Sequence, residues 1–189
     1  MLEGATALPT IETERLALRW LQDEDVPRLF EIFSDPQVMR YWSSPPLQNV
    51  SGAEALLREI RQLFAARTLF QWGVALKEDD RVIGTCTLAS LSAAHRRAEI
   101  GYALGRAWWR KGYMAEALPA LLRFAFSTLD LHRIEADVDP RNLPSLRSLE
   151  SLGFRREGYL RERYFVSGEW QDAVLYGLLR PEAAPELTR

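Results

Sequence analysis

The residues best placed to do chemistry lie between Ala98 and Asp130. There a strand pattern, Ala98-Glu99-Ile100-Gly101-Tyr102-Ala103-Leu104, runs through a loop of Trp, Arg, Lys and Gly into a long segment beginning near Gly112. A strand, a glycine turn and a helix start leave backbone N–H groups unpaired at the positive end of the helix dipole. A pyrophosphate is the natural occupant of such a cradle, with Arg110 and Lys111 within reach of its oxygens. The competing reading is plainer: Gly112 only lets the chain turn, and the basic side chains are solvated.

The other reactive side chains argue against metal or thiol chemistry. Two histidines, His95 and His132, and one cysteine, Cys86, stand at scattered positions, so no structural zinc site and no metal are expected. Cys86 sits inside the apolar run Val82-Ile83-Gly84-Thr85-Cys86-Thr87-Leu88 with no base nearby in sequence, which is how a structural thiol reads. A single cysteine makes no disulfide framework and fits a reducing compartment. With 24 Lys+Arg against 26 Asp+Glu the net charge is −2, which argues against the broad basic face of a nucleic-acid binder. Met1 to Thr10 lacks the features of a signal peptide, and no apolar run approaches the ~20 residues that span a bilayer, so a cytoplasmic protein without membrane contact is expected.

At 189 residues and 47% hydrophobic, the chain is expected to form one domain, with its core from Ile11 to Leu179 and short tails at Met1–Pro9 and Pro181–Arg189. Leu16, Leu18 and Trp20 alternate with Arg15, Ala17 and Arg19 as a half-buried strand. Asp23-Glu24-Asp25 then caps a helix to about Ser34. Ser51 and Glu54 have capping-box spacing ahead of a second helix. Phe70–Leu76 and Val82–Leu91 flank a polar turn as a hairpin, and the Ala98 strand follows as a third antiparallel member. Met114, Ala117, Leu118, Leu121, Leu122, Ala125 and Leu129 recur at helical spacing, with a bend expected from Pro119. A short strand at Arg133–Val138, a helix from Asn142 to Gly153, and a hairpin turning at Ser167-Gly168 complete the order. This pattern predicts an α+β (α/β) fold: a mixed, mainly antiparallel sheet of about seven strands with helices on both faces.

Three groups of residues then carry a family likeness: Glu99-Ile100-Gly101-Tyr102, the loop Trp108-Trp109-Arg110-Lys111-Gly112-Tyr113-Met114-Ala115-Glu116-Ala117, and Asn142-Leu143-Pro144-Ser145 leading to Leu152-Gly153-Phe154. In this order and spacing the chain resembles the GNAT acyl-CoA-dependent N-acyltransferases. Thr13 to Arg19 and Asp35-Pro36-Gln37-Val38-Met39 are most similar to the branch with the bacterial ribosomal-protein N-terminal (RimJ/RimL-type) acetyltransferases.

The resemblance implies a GNAT-like acyltransferase fold, acetyl-CoA as co-substrate, and direct attack by an amine in a ternary complex. It places the cofactor against the backbone of Ile100 and Tyr102, against Trp109, Arg110, Lys111, Gly112, Tyr113, Met114 and Ala115, and near Asn142, which by type is equally a helix cap. Glu99 stands where some members place a catalytic glutamate; an ion pair with Arg96 or Arg97 is the alternative. Ser145 is a candidate acid, with a solvent-facing helix serine as the alternative. Two departures stand out: Trp109 and Met114 replace the usual flanking residues of the phosphate loop, and Leu149 occupies the position of a tyrosine that serves as acid in many members. Trp42, Phe70, Trp72 and Tyr164 are candidate lining for the acceptor, with core packing as the alternative for each. The likeness favours a protein or peptide N-terminal α-amine as acceptor and a monomer or homodimer. The alternatives are a small-molecule amine or antibiotic as acceptor, or a non-catalytic acyl-CoA sensor or scaffold.

Overall fold

Alternation along the strands sorts side chains into two layers, and the helices cover each. The computed structural model describes residues 2, 4–183 and 187. Its strands are β1 (Ile11–Glu12), β2 (Leu16–Arg19), β3 (Phe70–Leu76), β4 (Val82–Ser92), β5 (Arg97–Leu104), β6 (Arg133–Val138), β7 (Arg155–Val166) and β8 (Glu169–Leu179). Its α-helices are α1 (Val26–Phe33), α2 (Val50–Ala65), α3 (Tyr113–Ser127) and α4 (Leu143–Ser151). All eight strands join one sheet in the order β1-β2-β3-β4-β5-β6-β8-β7. Every neighbouring pair is antiparallel except β5 and β6, which run parallel. The strand beyond the predicted seven is β1, whose two residues are too few to show alternation.

On one face, Leu16, Leu18, Phe70, Trp72, Val74, Leu88, Ala98, Ile100, Ile134 and Ala136 bury against Ala117, Leu118, Leu121, Leu122, Ala125 and Phe126 of α3. On the other, Ala75, Val82 and Ala103 pack with Leu29, Ile32 and Phe33 of α1 and with Ala53, Leu57 and Ile60 of α2. The two apolar stripes of the helices therefore close the sheet from both sides.

Two local readings need correction. Asn49, not Ser51, caps α2: its side chain accepts from the Gly52 N–H at 3.0 Å, because the chain becomes helical at Val50. The segment before Pro9 is not a free tail either. Leu8 is buried in the core, the Pro9 carbonyl accepts from the Trp72 indole N–H at 2.9 Å, and the Ala5 carbonyl accepts from Arg67. Of the tails, residues 1, 3, 184–186, 188 and 189 lie outside the described residues.

The parallel ladder of β5 and β6 is short. It pairs Arg97 with Arg133, Ala98 with Ile134 and Glu99 with Glu135, then ends, although β5 continues to Leu104 and β6 to Val138. Beyond Glu99 the strands part around a cleft lined by Ile100, Gly101 and Tyr102 on one side and Ala136, Asp137 and Val138 on the other.

The packing of α3 sets the stability of this frame. Leu121→Ala, which empties a fully buried site on α3, should cost about 2–5 kcal/mol. The measurement is the urea midpoint, which should fall with little change in slope; an unmoved midpoint would mean that α3 is not held by this contact.

Candidate active site

Where the strands part, β5 has a free inner edge. The Gly105 N–H donates to the Ile83 carbonyl at 2.8 Å, so odd-numbered residues of β5 face β4 with their backbone groups. Backbone direction alternates along a strand. Ile100, Tyr102 and Leu104 therefore turn their N–H and C=O groups to the cleft. The Leu104 carbonyl is taken by the indole N–H of Trp109 at 2.7 Å, which folds the following loop back onto the end of the strand.

That loop is fastened at several points. After a 3-10 turn at Arg106–Trp108, Arg110 and Gly112 both adopt positive φ, 61° and 80°, and α3 starts at Tyr113. The first helical bond runs from the Glu116 N–H to the Gly112 carbonyl, which leaves the N–H groups of Tyr113, Met114 and Ala115 without intrahelical acceptors. Glu116, in the same first turn, is held aside. Its carboxylate accepts from the Thr13 hydroxyl at 2.5 Å and from the Arg15 backbone and Nε at 2.7 Å each. Burial pushes the Glu116 carboxyl up, but the bonds from Thr13 and Arg15 prevail and hold it below the usual range. Arg15 also donates to the Lys111 carbonyl and lies over the Tyr113 ring. The Lys111 ammonium rests 4.9 Å from the Trp108 ring centroid.

The two sheet faces carry different chemistry. On the α3–α4 face, the Tyr102 hydroxyl and Ser145 Oγ hydrogen-bond at 2.8 Å. Burial pushes the Tyr102 phenol up, against the bond from Ser145, so it keeps its proton at neutral pH. Asn142 caps α4, accepting from the Ser145 N–H at 3.3 Å. A groove of about 440 Å³ passes between this group and Trp109, Arg110 and Met114.

On the α1–α2 face, Glu99 shares its side with Glu135 and Asp137, and its carboxylate has no hydrogen bond among the described residues. Burial, then Asp137 and Glu135, push the Glu99 carboxyl up, while Arg163 and Arg97 pull it down. The Tyr164 hydroxyl donates to Asp137 at 2.8 Å, and its pKa is pushed up to about 12, by burial first and then by Asp137.

The structure thus brings Glu99, Ile100, Tyr102, Asn142, Ser145, Trp42 and Tyr164 around one cleft. Arg97 turns to Glu135 rather than Glu99, and Arg96 to Asp130, so Glu99 has no direct ion pair among the described residues. Phe70 and Trp72 do not line the cleft. Both are fully buried, with Trp72 edge-on to Phe124 of α3, because their positions on β3 face the larger core. Asp137 and Gln171, which also line the cleft, are not apparent as site residues from the sequence. The one signal was Glu135 and Asp137 alternating with Ile134, Ala136 and Val138, and their approach to Glu99 needs the β5–β6 pairing.

A family model described as an acetyltransferase (GNAT) domain matches residues 15–155. An uncharacterised N-acetyltransferase, p20 of Bacillus licheniformis, is 40% identical over 177 residues, 94% of this chain and 99% of that protein. The ribosomal protein uS5-alanine N-acetyltransferase of Escherichia coli (strain K12) is 30% identical over 182 residues, 93% of each chain. Among solved structures, RimJ of Mycobacterium smegmatis in complex with CoA-disulfide superposes with a TM-score of 0.84 at 25% identity, covering 95% of this chain and 91% of that one.

The surroundings of Glu99 set the direction of a titration. By carbon-detected NMR its carboxyl should titrate above the ordinary carboxylate range. Asp137→Asn should lower that midpoint and Arg163→Ala should raise it further. A midpoint indifferent to both would remove Glu99 from this electrostatic group.

Proposed function

The chain belongs to the GNAT acetyltransferase family, and on that footing we propose that it acetylates a protein or peptide N-terminal α-amine by direct attack within a ternary complex. One observation carries the reading: an unpaired Glu99 carboxylate on one face of the parted strands, opposite the Tyr102–Ser145 pair on the other. The similarity to a ribosomal protein uS5-alanine N-acetyltransferase supports an α-amine acceptor, and a ribosomal protein as acceptor implies a cytoplasmic enzyme.

Acetyl-CoA is the co-substrate, and it supplies the acetyl thioester. The residues present fit it. The free N–H groups of Tyr113, Met114 and Ala115 behind the left-handed Gly112 suit its pyrophosphate, as does the positive dipole end of α3. Arg110 lines the same groove. The open edge at Ile100 and Tyr102 suits its extended amide-bearing arm, which bonds as an added strand does. Replacing the usual flanking residues by Trp109 and Met114 leaves these backbone donors in place.

Glu99 takes the proton of the incoming amine, directly or through water. An α-amine, with a pKa near ~8, asks for only a modest base, whereas a lysine side chain near ~10.4 asks for a stronger one. An N–H at the open edge meets the charge that develops on the carbonyl oxygen. With Leu149 buried where many members carry tyrosine, the Tyr102–Ser145 couple delivers a proton to the departing sulfur. A thiol of pKa near ~8.5 leaves readily enough for this step to be helped rather than required. Cys86 takes no part: it is buried against Met114, and burial pushes its thiol up to about 12.

Acetyl-CoA should raise the melting temperature in a concentration-dependent way, and Gly112→Asp, which adds a carboxylate to the cradle, should abolish the shift. No shift at millimolar ligand in the unaltered protein would end the assignment.

Glu99→Gln should lower turnover by ~10²-fold or more at little cost in acetyl-CoA affinity. Because Glu99 must be ionised to act and its pKa is raised, kcat should climb with pH through a limb above the usual carboxylate range, and the variant should lose that limb. A raised carboxyl pKa also means that ionising Glu99 costs stability as pH climbs between its unfolded and folded values. The variant should therefore be no less stable at pH 7. Tyr102→Phe and Ser145→Ala should each slow turnover less than Glu99→Gln. Free-thiol release with acetyl-CoA and pooled peptides and amines decides the class. Release no faster than the amine-free blank would favour a sensor or scaffold, and modification confined to lysine side chains or small amines would overturn the α-amine reading.

A further inference from the structure

Beside Glu99 the α1–α2 face opens into a second chamber of about 280 Å³, well beyond the ~30 Å³ of a water. It meets the cleft at Trp42, Glu99, Ile100 and Gly101, which line both spaces. Its floor is a row across three strands: Gln71 on β3 stands opposite Thr87 on β4, and Thr87 opposite Gly101 on β5. The adjacent row pairs Ala89 with Glu99. Gly101 and Ala89 keep the floor low, and the walls come from Phe33, Met39, Leu47, Leu56 and Leu69.

The floor carries two polar groups that the protein does not satisfy. Gln71 is 7% exposed and Thr87 8%, and neither side chain hydrogen-bonds to another described residue. Neither is sealed off from solvent: the fully enclosed polar atoms without a partner among the described residues are Arg67 Nη1 and Thr85 Oγ1, whereas Gln71 and Thr87 open onto the chamber, where an occupant that displaces water must replace its hydrogen bonds.

We propose that this chamber holds the acceptor's side chain, and that it selects a primary amine whose neighbouring carbon bears an apolar body ending in a neutral hydrogen-bonding group, as in tyrosine or glutamine. The proposal rests on the reading that Glu99 receives the acceptor's amine. With the amine at Glu99, the substituent on the next carbon has the chamber mouth beside it. A purely aliphatic side chain leaves Gln71 and Thr87 unpaired. An ionic tip finds no countercharge in walls whose one charged group, Glu99, is already engaged at the mouth. A hydroxyl or carboxamide matches both floor groups, because each can donate and accept.

The test uses peptides identical except for a first residue of Gly, Leu, Tyr or Gln, together with tyramine and glutamine amide as non-peptide amines. Binding to the CoA-loaded protein is read by calorimetry, and acetylation by thiol release with acetyl-CoA. Tyr- and Gln-first peptides should bind about tenfold or more tighter than Gly- and Leu-first ones. Thr87→Val should erase most of the advantage of Tyr over Leu. A Cβ at Gly101 would meet only Thr87 Cβ, at 3.8 Å, and Gly101 lines the open chamber, so the added methyls of Gly101→Val enter that space. That variant should weaken Tyr- and Gln-first peptides at least tenfold more than the Gly-first one. Equal binding of the four peptides and both amines to the unaltered protein overturns the proposal, and so does a Gly101→Val loss that ignores side-chain size. Tip-dependent binding without acetylation supports the chamber and overturns α-amine acetylation. The same preference seen with tyramine and glutamine amide alone supports the chamber and moves the acceptor to a small molecule.

Discussion

The site depends on a backbone ladder that stops. β5 and β6 pair over three residues and then part, in the middle of an otherwise continuous eight-stranded sheet. Unpaired backbone groups inside a protein are costly and are normally avoided. Here Trp109 caps one of them at Leu104, and the rest of the inner edge stays open where an extended ligand can complete it. The neighbours hold the gap in place. β4 pairs with β5 from Glu99 to Leu104, and β8 pairs with β6 along all of its length, so neither strand can swing across to close the ladder.

A gap through a sheet connects its two faces, and strand alternation makes those faces chemically unlike. Glu99, Glu135 and Asp137 stand on the α1–α2 side, where burial first, and then repulsion from Asp137 and Glu135, raise the Glu99 pKa. Tyr102 stands on the other side and meets Ser145 at the start of α4. The Glu99 carboxylate and the Tyr102–Ser145 pair are thus held apart around one cleft, because the sheet lies between them. Leu149 lines the cleft from α4, and Tyr102 reaches it from β5.

The loop beyond β5 is set by contacts distant in sequence. Thr13 and Arg15 bind Glu116, and Arg15 also ties down the Lys111 carbonyl. These bonds draw a first-turn carboxylate away from the helix end that attracts anions. Arg15 is itself well exposed, so its part is one of geometry rather than of a strong ion pair.

The sequence by itself determined every strand and α-helix but β1, and the strand-to-helix turn at Gly112. Alternation at Leu16–Arg19 and Ile134–Val138, helical spacing in Met114–Leu129, and Gly112 at a strand-to-helix turn are all signals within a few residues, where backbone sterics and side-chain period decide the outcome. Asn142 as a cap was legible for the same reason. Phe70 and Trp72 face the core rather than the cleft; an aromatic on a strand does not reveal which face is covered, and only the packing of α3 settles that. Tertiary structure alone decided the parting of β5 from β6, the meeting of Tyr102 with Ser145, the gathering of Asp137 around Glu99, and the row from Gln71 through Thr87 to Gly101. Each of these joins strands or helices far apart in the chain. Their register is fixed by burial of whole faces, an energy that no local window contains.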